Sequence, residues 1–306
     1  MRFDQGVIEG FLTPRDLAAA IGVSESSLKR WADEGFLRAS RTAGGHRRIP
    51  ISEAVRFIRD THCAVVRPEL LGFGDARLEA PIEAGSAGQA LADAFLRDDQ
   101  KAARGLLLGE FLSGGSIASI LDGSLRVALE KVGQCWLDGP EGIMIEHRAV
   151  DTAVHSLSTM RSTIAKPVAD APCAVGGAPS GDPYLLPSLG CAIVLAENGF
   201  VDVNLGPGTP LEAMLPAIDR YRPSIVWRAV TDFVPIASLG RELETIAARL
   251  APWNGVVVVG GRSRPAANEY PTGVRVLGSM SELVALARAV VAGSTAPSGD
   301  ASPLPA

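Results

Sequence analysis

The chain has 306 residues, 47% of them hydrophobic, with a formal net charge of −5 and a pI near 5.5. That length and apolar content suit about two or three domains with sizeable cores, and the acidic balance excludes a nucleic-acid coat over the whole surface. Cys63, Cys135, Cys173 and Cys191 lack C-x-x-C spacing, so they read as reduced thiols, with no zinc motif and no metal site. The N-terminal MRFDQGVIEG has no apolar secretory core, and every apolar run is broken by charge, Gly or Pro. The expectation is cytoplasmic localisation and no membrane partner.

Residues 8–62 carry the sharpest pattern. Thr13 suits an N-cap and Pro14 a first helical position, while Leu17, Ala18 and Ile21 share one helical face and Gly22 ends it. Ser24 caps a second helix whose apolar face is Leu28 and Trp31, closed by Gly35. Helix, short turn and helix is the helix-turn-helix signature, with the second helix suited to the major groove. Its outward Glu25, Ser26, Ser27, Lys29 and Arg30 would reach phosphates or base edges. A strand over Phe36–Arg41, a turn at Thr42–Gly45 and a strand from His46 to Ile49 predict a β-hairpin wing. Arg41, His46, Arg47 and Arg48 on it would reach phosphates or the minor groove. Ser52 and Glu53 start a third helix, with Ala54, Val55 and Ile58 inward. Between Lys29 and Arg48 six Lys/Arg face only Asp33 and Glu34, the local footprint of phosphate binding. The alternative is a helical protein-interaction module with a basic face, in which GGHRR has no evident packing role. His46 has no nucleophile or carboxylate near it in sequence, so it reads as a DNA or wing contact and not as a catalyst.

Over roughly residues 10–60 this stretch resembles the DNA-binding head of the MerR family, on the strength of the helix turn, Lys-Arg-Trp and Gly-Gly-His-Arg-Arg in that order. The resemblance implies binding of double-stranded DNA by at least a dimer, since such heads read two half-sites.

Residues 63–84 mix Pro, Gly and short apolar pieces and read as a linker. Residues 85–166 are helical in period. Ala90, Leu91, Ala94 and Phe95 form one stripe, and Ala102 to Leu108 begin a second helix. A third is expected over Ile117–Trp136 and a fourth over Ile143–Ile164, together a four-helix bundle. Residues 171–292 alternate strands and helices. A first strand and loop are expected at CAVGGAPSGDPY, and further strands at Phe200–Leu205, Ser224–Val230, Gly255–Gly261 and Val274–Leu277. Helices are expected at Leu185–Asn198, Leu211–Tyr221, Ile236–Leu250 and Ser279–Val291. This predicts an open, parallel, Rossmann-like sheet covered on both faces, with ligands held at the carboxyl ends of its strands. Arg228 either points into that crevice, where it would meet an anionic group, or snorkels at the surface. The Ser/Pro/Ala-rich tail, 293–306, is expected to be disordered.

Head, bundle and sheet in that order resemble the cobalamin-binding, light-sensing regulators related to MerR, the CarH/LitR group. In that group a Trp, nine residues and Glu-His cap the upper face of cobalamin. Trp136 followed by Glu146-His147 has this spacing, which implies Trp136 over the upper axial position with Glu146 and His147 lining it. Without the resemblance the same residues read as a core Trp beside a surface pair, and His155 reads as a packing or surface residue. The group's Glu-x-His-x-x-Gly loop, whose His lies beneath cobalt, is changed here. Asp182, Tyr184 and Pro187 stand at the three positions. A phenol with pKa about 10 is a poor neutral ligand, so the usual lower ligation is expected to be absent. The Ser-x-Leu element is replaced by Ala229-Val230-Thr231. Gly260-Gly261 and the Leu205–Pro210 turn with Thr209 are retained, so by the resemblance Tyr184, Thr209, Gly260 and Gly261 join Trp136, Glu146 and His147 as candidate cofactor-binding residues, although these glycines serve backbone geometry with or without a ligand.

The sequence therefore reads as a multidomain α and α/β transcription regulator: winged helix-turn-helix, four-helix bundle and cobalamin-binding-type domain. Three occupants of the sensor region stand open. These are cobalamin without a protein His, another tetrapyrrole as small-molecule ligand, and no ligand but a protein partner. The resemblance implies a dimer or tetramer whose state follows the ligand, making the chain a photoreceptor candidate. The rival class is a cobalamin-dependent methyltransferase or mutase. It is disfavoured because no segment is long enough for a substrate barrel and no nucleophile–base pair or Walker loop is visible, so no catalytic residue is assigned.

Overall fold

The computed structural model describes residues 10–74, 76, 78, 85–232, 234–264, 270 and 273–294. The chain divides into two compact units between Lys166 and Pro167. Among the described residues no helix is long and apolar enough to cross a membrane.

The first unit opens with β1(Phe11–Leu12), α1(Pro14–Ile21), α2(Glu25–Asp33), β2(Ser40–Arg41), β3(Arg47–Pro50) and α3(Ile51–Thr61). The caps sit where local chemistry puts them. The Thr13 hydroxyl accepts from the Asp16 amide at 3.2 Å, and the Asp16 carboxylate accepts from the Thr13 amide at 3.1 Å, a reciprocal capping box. Gly22 adopts the left-handed conformation that ends α1, and Ser24 Oγ accepts from the Ser27 amide at 3.1 Å. Leu17, Ile21, Leu28, Leu37, Ile49 and Ile58 are buried, and the Trp31 and Phe57 rings meet with centroids 5.3 Å apart.

A small antiparallel sheet, order β1-β3-β2, holds the hairpin, with Leu12 opposite Ile49 and Arg41 opposite Arg47. The strand expected over Phe36–Arg41 shrinks to Ser40–Arg41 because the backbone before it is committed elsewhere. The Phe36 amide donates back to the Trp31 carbonyl at 2.9 Å, and the Arg38 amide donates to Glu53 Oε1 at 2.8 Å. Part of the expected linker is built structure. The Val66 and Arg67 amides both donate to the Ala20 carbonyl, a 3-10 turn spans Pro68–Leu71, and Leu71 and Phe73 are buried.

The unit continues with α4(Ala87–Leu96), α5(Gln100–Leu112), α6(Ile117–Asp122), α7(Ser124–Gln134) and α8(Pro140–Thr163). Helices α4, α5, α7 and α8 pack on one another around Leu91, Phe95, Leu107, Phe111, Leu125, Val132, Leu157 and Met160. The single helix expected over Ile117–Trp136 is two helices and a 3-10 turn. At Gly123 the backbone leaves the helical region (φ −105°, ψ −105°), and a methyl there would lie 2.7 Å from the Ser119 carbonyl oxygen. The head is bolted to these helices: Arg59 Nη2 donates to the Gly115 carbonyl at 3.1 Å, and its guanidinium lies 4.0 Å from the Phe111 ring centroid.

The second unit contains β4(Cys173–Gly177), α9(Leu185–Glu197), β5(Val201–Asn204), α10(Leu211–Tyr221), β6(Ile225–Ala229), α11(Ile236–Leu250), β7(Val256–Gly260), β8(Val274–Val276) and α12(Met280–Ser294). All strands are parallel, in the order β5-β4-β6-β7-β8. Val226, Val230, Val257 and Val259 face Met214 and Ile218 of α10 and Leu239 and Leu243 of α11. Strand alternation turns Trp227 to the other face, where α9 and α12 pack together. The chain reverses its direction of travel across the sheet between β4 and β6, which makes the crevice at their carboxyl ends the place where such sheets hold ligands.

Burial raises the thiol pKa of Cys173, helped by Asp202, to about 11 and that of Cys191 to about 12, so both stay protonated. Helix α12 reaches Ser294, inside the expected tail; the rest of that tail lies outside the described residues.

Candidate DNA-binding face and sheet crevice

In the head, Ser26 is exposed and Ser27 half-buried, and their hydroxyls lie 2.8 and 2.9 Å from the capping Ser24 Oγ. Lys29 is exposed and paired one turn back with Glu25 at 2.9 Å, a contact weak enough to be exchanged for a phosphate. Arg30, Arg41, His46 and Arg48 are exposed, with Arg48 over the Phe11 ring at 5.9 Å.

Arg47 departs from the expectation of a nucleic-acid contact. Its side chain is only 18% exposed, Nη1 donates to the Lys29 carbonyl at 3.3 Å, and Nη2 is ion-paired with Asp33. It ties the hairpin to α2 and so sets the spacing of the cations on both. A second brace was not legible in the sequence. Glu53, 9% exposed, accepts from the Arg38 amide and from Arg56, which also bonds Asp60 and the Phe36 carbonyl. Burial alone would raise the Glu53 pKa, but the hydrogen bonds and charges of Arg56 and Arg38 outweigh it and hold the carboxyl below 4.5. Its position in the first turn of α3 was the one available signal.

In the helical part the expected spacing does bring its residues together. Trp136 is 49% exposed in the turn before α8, the His147 ring lies edge-on to it at 6.4 Å, and Glu146 is 3.7 Å from His147 Nε2. Leu137 and Met144 are also exposed, which leaves an apolar face at the α7–α8 turn. His155 is on the surface beside Asp151.

At the carboxyl ends of the strands Asp182 and Thr209 turn inward, while Tyr184 stays exposed. Tyr184, 39% exposed, starts α9, its amide bonded to Asp182 Oδ1 at 3.1 Å. Asp182 is fully buried. Its Oδ2 accepts from the Thr231 and Asp232 amides at 2.5 and 3.1 Å, and its carbonyl accepts from the Gly208 amide at 2.8 Å. One residue thus joins the loops after β4, β5 and β6. Thr209 is buried and its hydroxyl faces the Leu205 and Gly206 carbonyls at 3.2 and 3.1 Å. A methyl at Gly261 would lie 2.1 Å from the Val230 carbonyl oxygen, and one at Gly260 3.2 Å from that of Leu277. These glycines admit the chain's own backbone.

Arg228 neither reaches solvent nor snorkels. It is 1% exposed, donates to the Thr209 carbonyl at 2.8 Å and is ion-paired with Glu242 on α11. Burial lowers the Arg228 pKa against the Glu242 charge; burial also raises that of Glu242, opposed by Arg228. An open groove of about 560 Å³ lies at the other end of the sheet, lined by Ala247, Ala248, Ala251, Gly255 and Gly273.

Among the described residues no cluster of His, Cys, Asp and Glu is placed to hold a metal ion. All four histidines, His46, His62, His147 and His155, precede the sheet unit, which offers a phenol and no imidazole. Its residues do not fit a corrin held from below through a protein nitrogen.

The chain matches the helix-turn-helix domain family over residues 11–61. A search of curated proteins found no match. Among solved structures, the monomethylamine corrinoid protein of Methanosarcina barkeri is similar, with 16% identity and a TM-score of 0.53, covering 65% of this chain and 96% of that one. Two weaker likenesses are the methanol:cobalamin methyltransferase complex of Methanosarcina barkeri and a cobalamin-binding protein of Desulfitobacterium hafniense DCB-2. The first has 15% identity and a TM-score of 0.36 over 71% of this chain and 86% of that one. The second has 14% identity and a TM-score of 0.35 over 69% of this chain and 99% of that one. The chain therefore joins an N-terminal helix-turn-helix domain to a region with the fold of a corrinoid protein.

Proposed function

We propose that this chain is a DNA-binding transcription regulator of MerR type, whose winged head reads a two-fold operator as part of an oligomer. The observation that carries the reading is the set of exposed cations on α2 and on the β2–β3 hairpin, Lys29, Arg30, Arg41 and Arg48, with the hairpin fixed to α2 through Arg47. Helix α2 supplies the groove contacts and the hairpin the flanking phosphate contacts. The helical region, in the arrangement of a four-helix bundle, and the sheet unit are the controlling part. They act through self-association, and no catalytic step is assigned to them. The exposed Trp136, Leu137 and Met144 support a contact role for the helical region.

The test is fluorescence anisotropy on operator fragments enriched from random duplex DNA and on unselected duplex. Lys29→Ala with Arg30→Ala should abolish the preference for the enriched fragments. Arg41→Ala with Arg48→Ala should weaken binding to both and lower the salt slope by about two. Unchanged affinity in both double variants would overturn the reading.

A further inference from the structure

We infer that the ligand crevice of the sheet unit is filled by the chain itself, with the Trp227 indole as its internal occupant, so that the unit keeps a corrinoid-type fold and binds no corrin. The inference rests on the reading of the chain as a regulator, and deepens it by removing one class of effector.

Trp227 is that internal occupant. It is 1% exposed, on β6, and pairs in register with Gly176 of β4, so it sits where the sheet reverses. A methyl at Gly176 would lie 2.0 Å from the indole Cδ2, so the glycine is the floor on which the ring rests. The indole N–H donates to Ser188 Oγ at 3.1 Å. That hydroxyl donates to Asn204 Oδ1 at 2.7 Å, and the same oxygen accepts from the Gly206 amide at 3.0 Å. The ring's one polar hydrogen is therefore satisfied by α9, and the accepting hydroxyl is itself held from the end of β5, which is how an indole is held as permanent core.

At the carboxyl ends of β4, β5 and β6 the loops are laced together. Asp182 crosses the reversal point to the Thr231 and Asp232 amides. A methyl at Gly177 would lie 2.7 Å from the Gly206 carbonyl oxygen, and one at Gly261 would strike that of Val230. The Thr209 hydroxyl is spent on carbonyls of its own turn. The Thr231 and Asp232 amides, the Thr209 hydroxyl and the gaps at Gly177 and Gly261 are already taken by the chain's own groups, and opening them for a ligand leaves buried polar groups unpaired.

The test uses the full chain. Wild-type protein is incubated in the dark with hydroxocobalamin or with adenosylcobalamin, desalted, and examined for corrin absorbance, melting temperature and DNA affinity. The expected result is no retained absorbance and no change in melting, whereas a ligand at a hundred times its dissociation constant would raise melting by roughly 5–10 °C. Trp227→Ala should lower melting by roughly 10 °C, and millimolar indole should restore part of the loss by refilling the cavity. If that variant does not fold, Trp227→Leu should show a smaller loss of the same sign. Stoichiometric corrin retention by the wild type, or an unchanged melting temperature in both variants, would overturn the inference. Loss of the regulator reading would instead show as absent DNA binding, which the retention measurement does not touch.

Discussion

In the head the charged side chains stand outside. Lys29, Arg30, Arg41 and Arg48 are exposed, and Arg47 is drawn inward only as far as Asp33 at the surface. In the sheet unit the decisive charges are inside: Asp182 and Arg228 have almost no exposed area, and each is committed to groups of the same chain. The difference separates residues that can meet a partner from residues that hold a fold. A surface cation can exchange its neighbour for a phosphate at little cost, because exposed ion pairs contribute about 0–1 kcal/mol. A buried charge has no such freedom, since removing its partner costs about 3–5 kcal/mol.

The Arg228–Glu242 pair tests the buried half of this contrast most severely. Glu242→Ala leaves an unpaired guanidinium in the core and should destabilise the protein by about 3–5 kcal/mol, read from urea melts. Replacing both partners, Arg228→Met with Glu242→Leu, should be neutral or stabilising, since apolar side chains carry no desolvation cost. Two equally damaged variants would show that the pair does more than satisfy itself. Asp182→Ala comes next. It strands the amides of Tyr184, Thr231 and Asp232, with an expected loss of about 3 kcal/mol. The surviving folded fraction should bind DNA as the wild type does, because Asp182 belongs to the other unit.

What could be read from the sequence follows the range of the interactions. Thr13, Gly22 and Ser24 announce their caps because the groups they satisfy lie within a few residues. Gly123 did not announce a helix break, since a lone glycine in a helical pattern is often tolerated. β1 has no legible signal because two residues carry no alternation, and its partners, Ile49 and Pro50, lie far along the chain. The roles of Arg47, Trp227 and Arg228 were hidden for the same reason: Asp33, Gly176 and Glu242 become neighbours only once the fold is made. Motif position places Thr209, Gly260 and Gly261 at the strand ends as candidate cofactor-binding residues, but it carries no information on whether the space they shape is open.

The exposed half of the contrast is sharpened by Arg47 and Arg48, adjacent residues with opposite commitments. Arg48→Ala removes a free surface cation and should weaken binding to any duplex, lowering the salt slope by about one. Arg47→Ala should leave the salt slope unchanged, because its charge already faces Asp33. It should instead weaken discrimination between enriched and unselected DNA, by loosening the hairpin from α2. Asp33→Ala should reproduce part of that loss, and the double variant should fall short of the sum, with a coupling of about 0.5–1 kcal/mol. Equal salt slopes for Arg47→Ala and Arg48→Ala would erase the distinction.

The smallest effect concerns acid. Glu53 ties the Arg38 amide to α3, and its carboxyl is held below the ordinary 4.5 by Arg56 and Arg38. A lowered folded-state pKa means the unfolded chain takes up the proton first. The stability it contributes is therefore complete above 4.5 and is lost as the pH falls below that value. Hydrogen exchange at the Arg38 amide reads this directly. After correction for intrinsic rates, its protection should hold above pH 4.5 and fall as the pH drops below that value. Glu53→Gln should flatten the dependence, because its amide oxygen still accepts the bond but cannot be protonated in this range. An amide whose protection falls equally in the variant would be responding to some other carboxyl, and the brace would then be geometric and not electrostatic.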